Sequence, residues 1–456
     1  MKFYILLTLL SLVTTATAQL FNIDHLAASD VGGVQEINSG DFDQDGDQDL
    51  YTTTSQLVAW YENLDGLGTF SPPITIDTGM GQAVSQAFTD LDEDGKDDLI
   101  ISYFDQDFVA YYRNLGDGSF APFQTLAAGL NRAGGIAPGD LDGDGDLDLV
   151  LGVSNGSGFY WIEQLANGSF GPLIPISTTL SQARKQILGD IDGDGDIDIL
   201  TNSVGSTLLS WFENVDGLGD FSQQHVIETS GLYENYPQMA DLDGDGDLDN
   251  ISEKEGSVLW RENIDGLGTF GVTQILFSSS DGSSLPSIYA ADIDNDGDQD
   301  ITFDSGFRHG KVYLLNNGDA TFSTNFVEPP KGGTTGNNIQ PVDIDGDGDL
   351  DLISTSRFDN QGGRNDLYWY ENLTILGTPD FDIKGLKVYP NPAKDLLFIT
   401  SLDPVERVTI YDLLGKKLLQ KNKNTEQVDI SSLPIGLLFV EVKTTTGVGL
   451  KKLLKE

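Results

Sequence analysis

Asp140-Leu141-Asp142-Gly143-Asp144-Gly145-Asp146-Leu147-Asp148 places an aspartate at every odd position of a nonapeptide, with Gly145 at the turn between Asp144 and Asp146. In a tight loop, aspartates at positions 1, 3 and 5 turn their oxygens inward, position 7 adds a carbonyl, and position 9 can bind through both carboxylate oxygens. A hard-oxygen shell of that kind, at roughly 2.3–2.6 Å, suits calcium, whereas magnesium demands near-octahedral geometry. The nonapeptide recurs seven times, at intervals of 49 to 51 residues. The candidate metal ligands are Asp41, Asp43, Asp45, Asp47 and Asp49 in the first copy, then Asp90, Asp92, Asp94, Lys96 and Asp98, with Lys96 contributing only a carbonyl. They continue as Asp140, Asp142, Asp144, Asp146 and Asp148, then Asp190, Asp192, Asp194, Asp196 and Asp198, then Asp241, Asp243, Asp245, Asp247 and Asp249. The last two sets are Asp292, Asp294, Asp296, Asp298 and Asp300, and Asp343, Asp345, Asp347, Asp349 and Asp351. Up to seven calcium ions are therefore expected, one per loop. Glycine at position 6 of every copy reads as a sharp reversal where a Cβ would clash. An EF-hand would need Glu at position 12, where these copies carry Thr52, Ile101, Leu151, Thr201, Ser252, Phe303 and Ser354.

About 20 residues into each repeat comes a second signal, as in Trp60-Tyr61-Glu62-Asn63, Trp211-Phe212-Glu213-Asn214, Trp260-Arg261-Glu262-Asn263 and Trp369-Tyr370-Glu371-Asn372, with looser copies at Tyr111, Trp161 and Tyr313. Glycine-rich turns ending in Phe follow, such as Asp65-Gly66-Leu67-Gly68-Thr69-Phe70, and suit hairpins that need positive φ. Short apolar or alternating runs between these signals read as strands. Four antiparallel strands per ~50 residues make a propeller blade. The fold expected is all-β: a seven-bladed β-propeller of four-stranded blades, followed by a small Ig-like β-sandwich. The last repeat lacks a fourth strand, and Phe21-Asn22-Ile23-Asp24-His25-Leu26 has the phase of Phe221-Ser222-Gln223-Gln224-His225-Val226. Residues 20–27 are thus expected to pair beside Trp369 and close the ring without a free edge.

The chain carries 72 acidic and 25 basic residues, a formal charge of −47, which disfavours nucleic acid as a partner. Thirty-six of those acids lie in the seven loops, so most of the excess has a local use. Cysteine is absent, removing disulfides and thiol chemistry. Lys2, the apolar run Phe3 to Val13 and Ala16-Thr17-Ala18 read as a signal peptide cleaved before Gln19. No later stretch is long and apolar enough for a membrane span. The aromatic register of Trp60, Tyr111, Trp161, Trp211, Trp260, Tyr313 and Trp369 reads as interblade packing, because a binding site should break the repeat. Glu62, Glu163, Glu213, Glu262 and Glu371 repeat with it and read as a shared structural contact. Paired acids for glycoside hydrolysis would be unique, not fivefold. His25 and His225 are equivalent in phase, and His309 lies near glycines without a nucleophile motif, so no catalytic residue is assigned.

Together the acidic nonapeptide and the Gly-Phe turn resemble the FG-GAP and VCBS repeat families, calcium-loop propellers typified by the ligand-binding head of integrin α chains. The resemblance covers roughly Phe21 to Asn372 and implies calcium at loop positions 1, 3, 5, 7 and 9, with extracellular adhesion or binding of a glycan or protein ligand. After Gly377 the composition shifts: residues 381–456 hold 12 basic and 9 acidic side chains. Val388-Tyr389-Pro390-Asn391-Pro392-Ala393, Val408 to Lys416, Ile430 to Gly436 and Lys451-Lys452-Leu453-Leu454-Lys455 resemble the type A sorting domain of the type IX secretion system of Bacteroidetes. The organisation expected is a signal peptide over 1–18, a propeller over 19–375, a linker over 376–383 and a sorting domain over 384–456. The function expected is a secreted or surface-attached monomeric binding module whose partners are an extracellular ligand and the type IX machinery. A rhamnogalacturonan-lyase-like enzyme and an architectural surface-layer protein stand as the alternatives.

Overall fold

The computed structural model describes residues 20–229, 234–279, 282, 284–305, 310–327, 334–358, 364–374, 387–389, 393–401, 404–411, 416–422, 427–434, 436–444 and 448–455. The expected signal peptide, the 376–383 linker and His309 lie outside them. The chain divides into two compact units, Met1–Ile375 and Leu376–Glu456, and no α-helix occurs among the described residues.

In the first unit the described residues form seven four-stranded antiparallel sheets. The second blade is typical, with strands Ala83–Thr89, Asp98–Tyr103, Phe108–Tyr112 and Gln124–Ala128 side by side in chain order. The acidic nonapeptide joins the first strand to the second in every blade. Strand Asp98–Tyr103 is buried throughout, because blades stack on both its faces and its residues Leu99, Ile100 and Ile101 suit a doubly covered strand. Fourth strands are largely open to solvent, as in Gln124–Ala128. Innermost strands touch in cyclic order, and the first, Val34–Gly40, meets the last, Thr334–Val342, so the sheets form a closed ring.

The seam lies in the sheet of Thr334–Val342, Asp351–Phe358 and Arg364–Asn372, whose fourth strand is Phe21–Ala28 from the other end of the unit. Phe21 pairs with Asn372 and His25 with Trp369. Blades lock together through the tryptophans. A Cβ at Gly68 would overlap the Trp369 ring, and Gly118, Gly219 and Gly268 stand in the same relation to Trp60, Trp161 and Trp211. The turn glycine of each of these blades thus makes room for the indole of the blade before it. His25 stacks on Trp369 at 4.3 Å and His225 on Trp211 at 4.2 Å. Their Nε2 atoms face Glu371 at 3.4 Å and Glu213 at 2.9 Å, so the two histidines share one packing role.

The second unit is a sandwich of two sheets. One orders Lys387–Tyr389, Leu396–Thr400 and Gln427–Asp429; the other orders Lys417–Lys421, Val405–Tyr411, Gly436–Thr444 and Val448–Lys455. Leu397, Ile399, Val408, Ile410, Val428, Val440 and Leu453 fill the space between them.

Candidate metal centres

Each acidic loop is built on hydrogen bonds that its own aspartates make. The position-1 carboxylate spans the turn: in the third loop Asp140 accepts the N–H of Gly143 at 2.8 Å and of Gly145 at 3.2 Å. Asp90 likewise accepts from Asp94 at 2.9 Å and Gly95 at 2.8 Å. Two positions of the loop are left-handed. Position 6 has φ of 85° to 101° in all seven copies, and a Cβ there meets nothing within 4 Å at Gly46, Gly95, Gly145, Gly195, Gly246 and Gly297. This corrects the steric expectation: glycine is required by the backbone angle, not by crowding. Position 4 is also left-handed, with glycine in four copies but Gln44, Glu93 and Asn295 at φ of 64°, 56° and 58° in the others.

Carboxylate oxygens converge within 4.8 Å of one another for Asp41, Asp43 and Asp49, for Asp140, Asp142 and Asp148, for Asp190, Asp192 and Asp194, and for Asp241, Asp243 and Asp245. Asp90, Asp92 and Asp94 are equally close. Crowding shows in the acidities. Burial first, and the neighbouring Asp45 charge second, hold Asp43 above the ordinary carboxylate range. Burial and then the charge of Asp347 push Asp345 up to about 6. Asp243 Oδ1 is buried with no hydrogen-bond partner.

Position 9 does something else as well. Its Oδ2 accepts the position-2 N–H, from Phe42 to Asp49 at 3.0 Å through Ile344 to Asp351 at 3.0 Å. Its Oδ1 accepts the N–H of the residue ending the Trp-x-Glu-Asn signal, as from Asn63 to Asp49, Asn214 to Asp198 and Asn263 to Asp249, each at 2.8 Å. At Asp98 the Oδ2 also accepts the Tyr111 hydroxyl at 2.8 Å, whereas at Asp49, Asp148, Asp198, Asp300 and Asp351 both oxygens keep a further lone pair for a metal. Burial pushes these acids up, to about 7 at Asp49, Asp148, Asp198 and Asp300, about 6 at Asp98 and Asp249, and about 8 at Asp351.

The asparagine is a functional residue that the repeat pattern displayed without explaining. Its Nδ2 donates to the position-2 carbonyl of the preceding blade's loop: Asn63 to Ile344 at 3.0 Å, Asn214 to Leu141 at 2.9 Å, Asn263 to Ile191 at 2.9 Å, Asn316 to Leu242 at 2.7 Å and Asn372 to Ile293 at 2.7 Å. Its Oδ1 accepts from the turn glycine, Gly68, Gly219 or Gly268. Loop geometry in one blade is thereby coupled to strand placement in the next.

The second loop departs from the others in charge. Lys96 Nζ lies 2.6 Å from Asp94 Oδ2, Arg113 Nη2 lies 2.7 Å from the same oxygen, and Arg113 Nε pairs with Asp92. Hydrogen bonds from Lys96 and then Arg113 hold the Asp94 carboxyl below the usual range. Arg113 occupies the register of Glu62, Glu163, Glu213, Glu262 and Glu371. Those glutamates face the loops: Glu163, Glu213, Glu262 and Glu371 add negative charge at Asp142, Asp192, Asp243 and Asp345.

With the loops in view, the family comparisons are decisive. A model described as "FG-GAP-like repeat" matches residues 41–101, 90–151, 190–252 and 241–303, and one described as "Secretion system C-terminal sorting domain" matches residues 387–456. The chain is an FG-GAP-repeat protein with a C-terminal sorting domain. Six of its seven acidic loops fall inside matched repeats. The sorting domain marks this FG-GAP-repeat protein for the type IX secretion machinery, and hence for the cell surface or the medium. Beta-agarase D of Zobellia galactanivorans is 39% identical over 67 residues, which are 15% of this chain and 14% of that protein. Among solved structures, an Agrocybe aegerita lectin described for its recognition of non-reducing terminal N-acetylglucosamine aligns at TM-score 0.50 and 20% identity, covering 64% of this chain and 79% of the lectin. BBS1N, solved in complex with ARL6DN, aligns at TM-score 0.52 and 11% identity, covering 76% and 96%. At those identities the likeness is one of fold alone.

Proposed function

We propose that this secreted propeller is a calcium-braced binding module that captures an extracellular glycan. The observation that carries the calcium reading is the convergence of three or more carboxylates in loops that also anchor the next blade. Six loops offer an acid shell without a cation of their own, and these are the calcium sites. When bound, calcium neutralises the converging carboxylates. The position-1 and position-9 aspartates hold the loop backbone, and the asparagines carry that order across the blade interface. In the second loop Lys96 and Arg113 supply the positive charge instead, so six ions are assigned and not seven. At 100 times Kd each ion adds about 2.7 kcal/mol to folding, which makes the folded ring depend on the calcium-rich space outside the cell.

A glycan as ligand is supported by the lectin among the fold's neighbours, and a binding rather than catalytic role by the engagement of the repeated glutamates at the loops. A glycan array probed in calcium and again in EGTA tests the reading. Binding of a discrete glycan set, lost in EGTA, is expected; no glycan bound in calcium overturns it.

A further inference from the structure

Five residues before the first aspartate of each loop stand Glu36, Ser85, Gly135, Lys185, Tyr236, Ser287 and Asn338, six of them in the inner strands and Ser287 directly before one. Loop positions 1, 6 and 9 are identical in all seven repeats, yet this register holds six residue types. Packing between strands accounts for two of them. Ser85 Oγ accepts the Ile136 N–H at 3.1 Å, and a Cβ at Gly135 would run into the Arg184 carbonyl. The other five, Glu36, Lys185, Tyr236, Ser287 and Asn338, line one cavity of about 220 Å3 inside the ring of inner strands. At about 3.3 Å per residue this register lies ~17 Å along the strand from the acidic loops, so the cavity is separate from the metal centres.

Three observations show a site prepared for a guest. Ser287 is 8% exposed and its Oγ, on the cavity wall, has no hydrogen-bond partner. Tyr236 is 37% exposed and holds φ at 48°, a conformation that is costly for an aromatic residue and concentrates at functional sites. Burial pushes Glu36 up to about 7 against the opposing charge of Lys185, and among the described residues no ion pair within 4 Å joins the two.

The residue set defines the guest. A carboxylate that accepts, an ammonium that donates, an amide and a hydroxyl that do both, and an accessible aromatic ring together match a polyhydroxylated ring. Glu36 stands with the cations Lys185 and Arg184 on the same cavity wall, and an apolar guest would leave Ser287 and Glu36 unsatisfied. The volume is below the roughly 300–1,000 Å3 of drug-sized sites, which limits the guest to about one ring. We infer that this cavity binds a single sugar residue, which rests on the glycan reading above.

The test uses the full chain in calcium, with methyl glycosides of hexoses, N-acetylhexosamines and hexuronic acids as probes in saturation-transfer NMR and calorimetry. Glu36→Gln and Lys185→Met are each expected to weaken binding of the preferred glycoside at least tenfold, with melting temperature not lowered and calcium content unchanged. Full-strength binding by both variants would overturn the cavity assignment while leaving the glycan reading intact. Absence of binding by the unaltered protein to every glycoside and to the array would overturn both, and binding of free amino acids in place of glycosides would overturn the ligand class.

Discussion

The second and third loops are built alike, and under the proposed calcium reading they differ in what neutralises them. Asp140 and Asp90 both span the turn, and Asp148 and Asp98 both receive the N–H that ends the third strand, at 2.8 and 2.7 Å. In the third loop the acids face Glu163, whereas in the second they face Arg113 and Lys96. Two acid-to-base exchanges, one in the loop and one a strand away, meet at the Asp94 carboxylate. The repeat therefore preserves a shape, and the positive charge that shape requires can come from an ion or from the chain.

The largest test of that comparison is chelation. EGTA strips six loops of their proposed ions, and the melting temperature is expected to fall by roughly 10 °C or more; a scanning calorimeter reads it, and no change would remove the metal from the account. Next comes the tie between blades. Asn263→Ala loses the bond to the Ile191 carbonyl and strands a buried acceptor, at a cost of about 1–3 kcal/mol. Asn114 donates instead to Asp97 of its own loop at 3.1 Å, so Asn114→Ala should cost less in denaturant melts. Equal losses would mean that the interblade bond adds nothing. Smaller still is the effect of restoring acid to the second loop. Lys96→Asp with Arg113→Glu should raise bound calcium by one per chain and lower the metal-free melting temperature by a few degrees.

Glu36 supplies the contrast of an acid relieved by a proton rather than a cation. It faces Lys185, shares its cavity with Arg184 and couples electrically to Tyr51 and Tyr289. Its folded pKa of about 7 stands above its ordinary value of 4.5, so its favourable contribution is complete below pH 4.5 and is lost as pH rises through 7. Glu36→Gln should accordingly raise the melting temperature by one or two degrees at pH 8 and leave it unchanged at pH 4 in the metal-free protein.

Much of this molecule was legible as a sequence because repetition exposes whatever all blades share. The nonapeptide marks the first turn, the tryptophan marks the third strand, and the phase of Phe21 against Phe221 points to the strand that pairs with Arg364–Asn372. What repetition hides is the exception. Arg113 reads as a loose copy of the Trp-x-Glu-Asn signal until its guanidinium is seen on Asp92 and Asp94. The register of Glu36, Lys185, Tyr236, Ser287 and Asn338 carries no motif, since its meaning lies in five unlike residues from successive blades meeting at one cavity. Asn63 and its equivalents were visible but mute, because their partners belong to the neighbouring blade. Glycine at position 6 was correctly singled out for the wrong cause, as backbone angle and steric room cannot be told apart without coordinates.

Metal analysis of the purified mature protein after dialysis against calcium-containing buffer probes the central claim most directly. Six calcium ions per chain is the expected result. None would contradict the calcium-braced ring, and seven would contradict a second loop closed by Lys96 and Arg113.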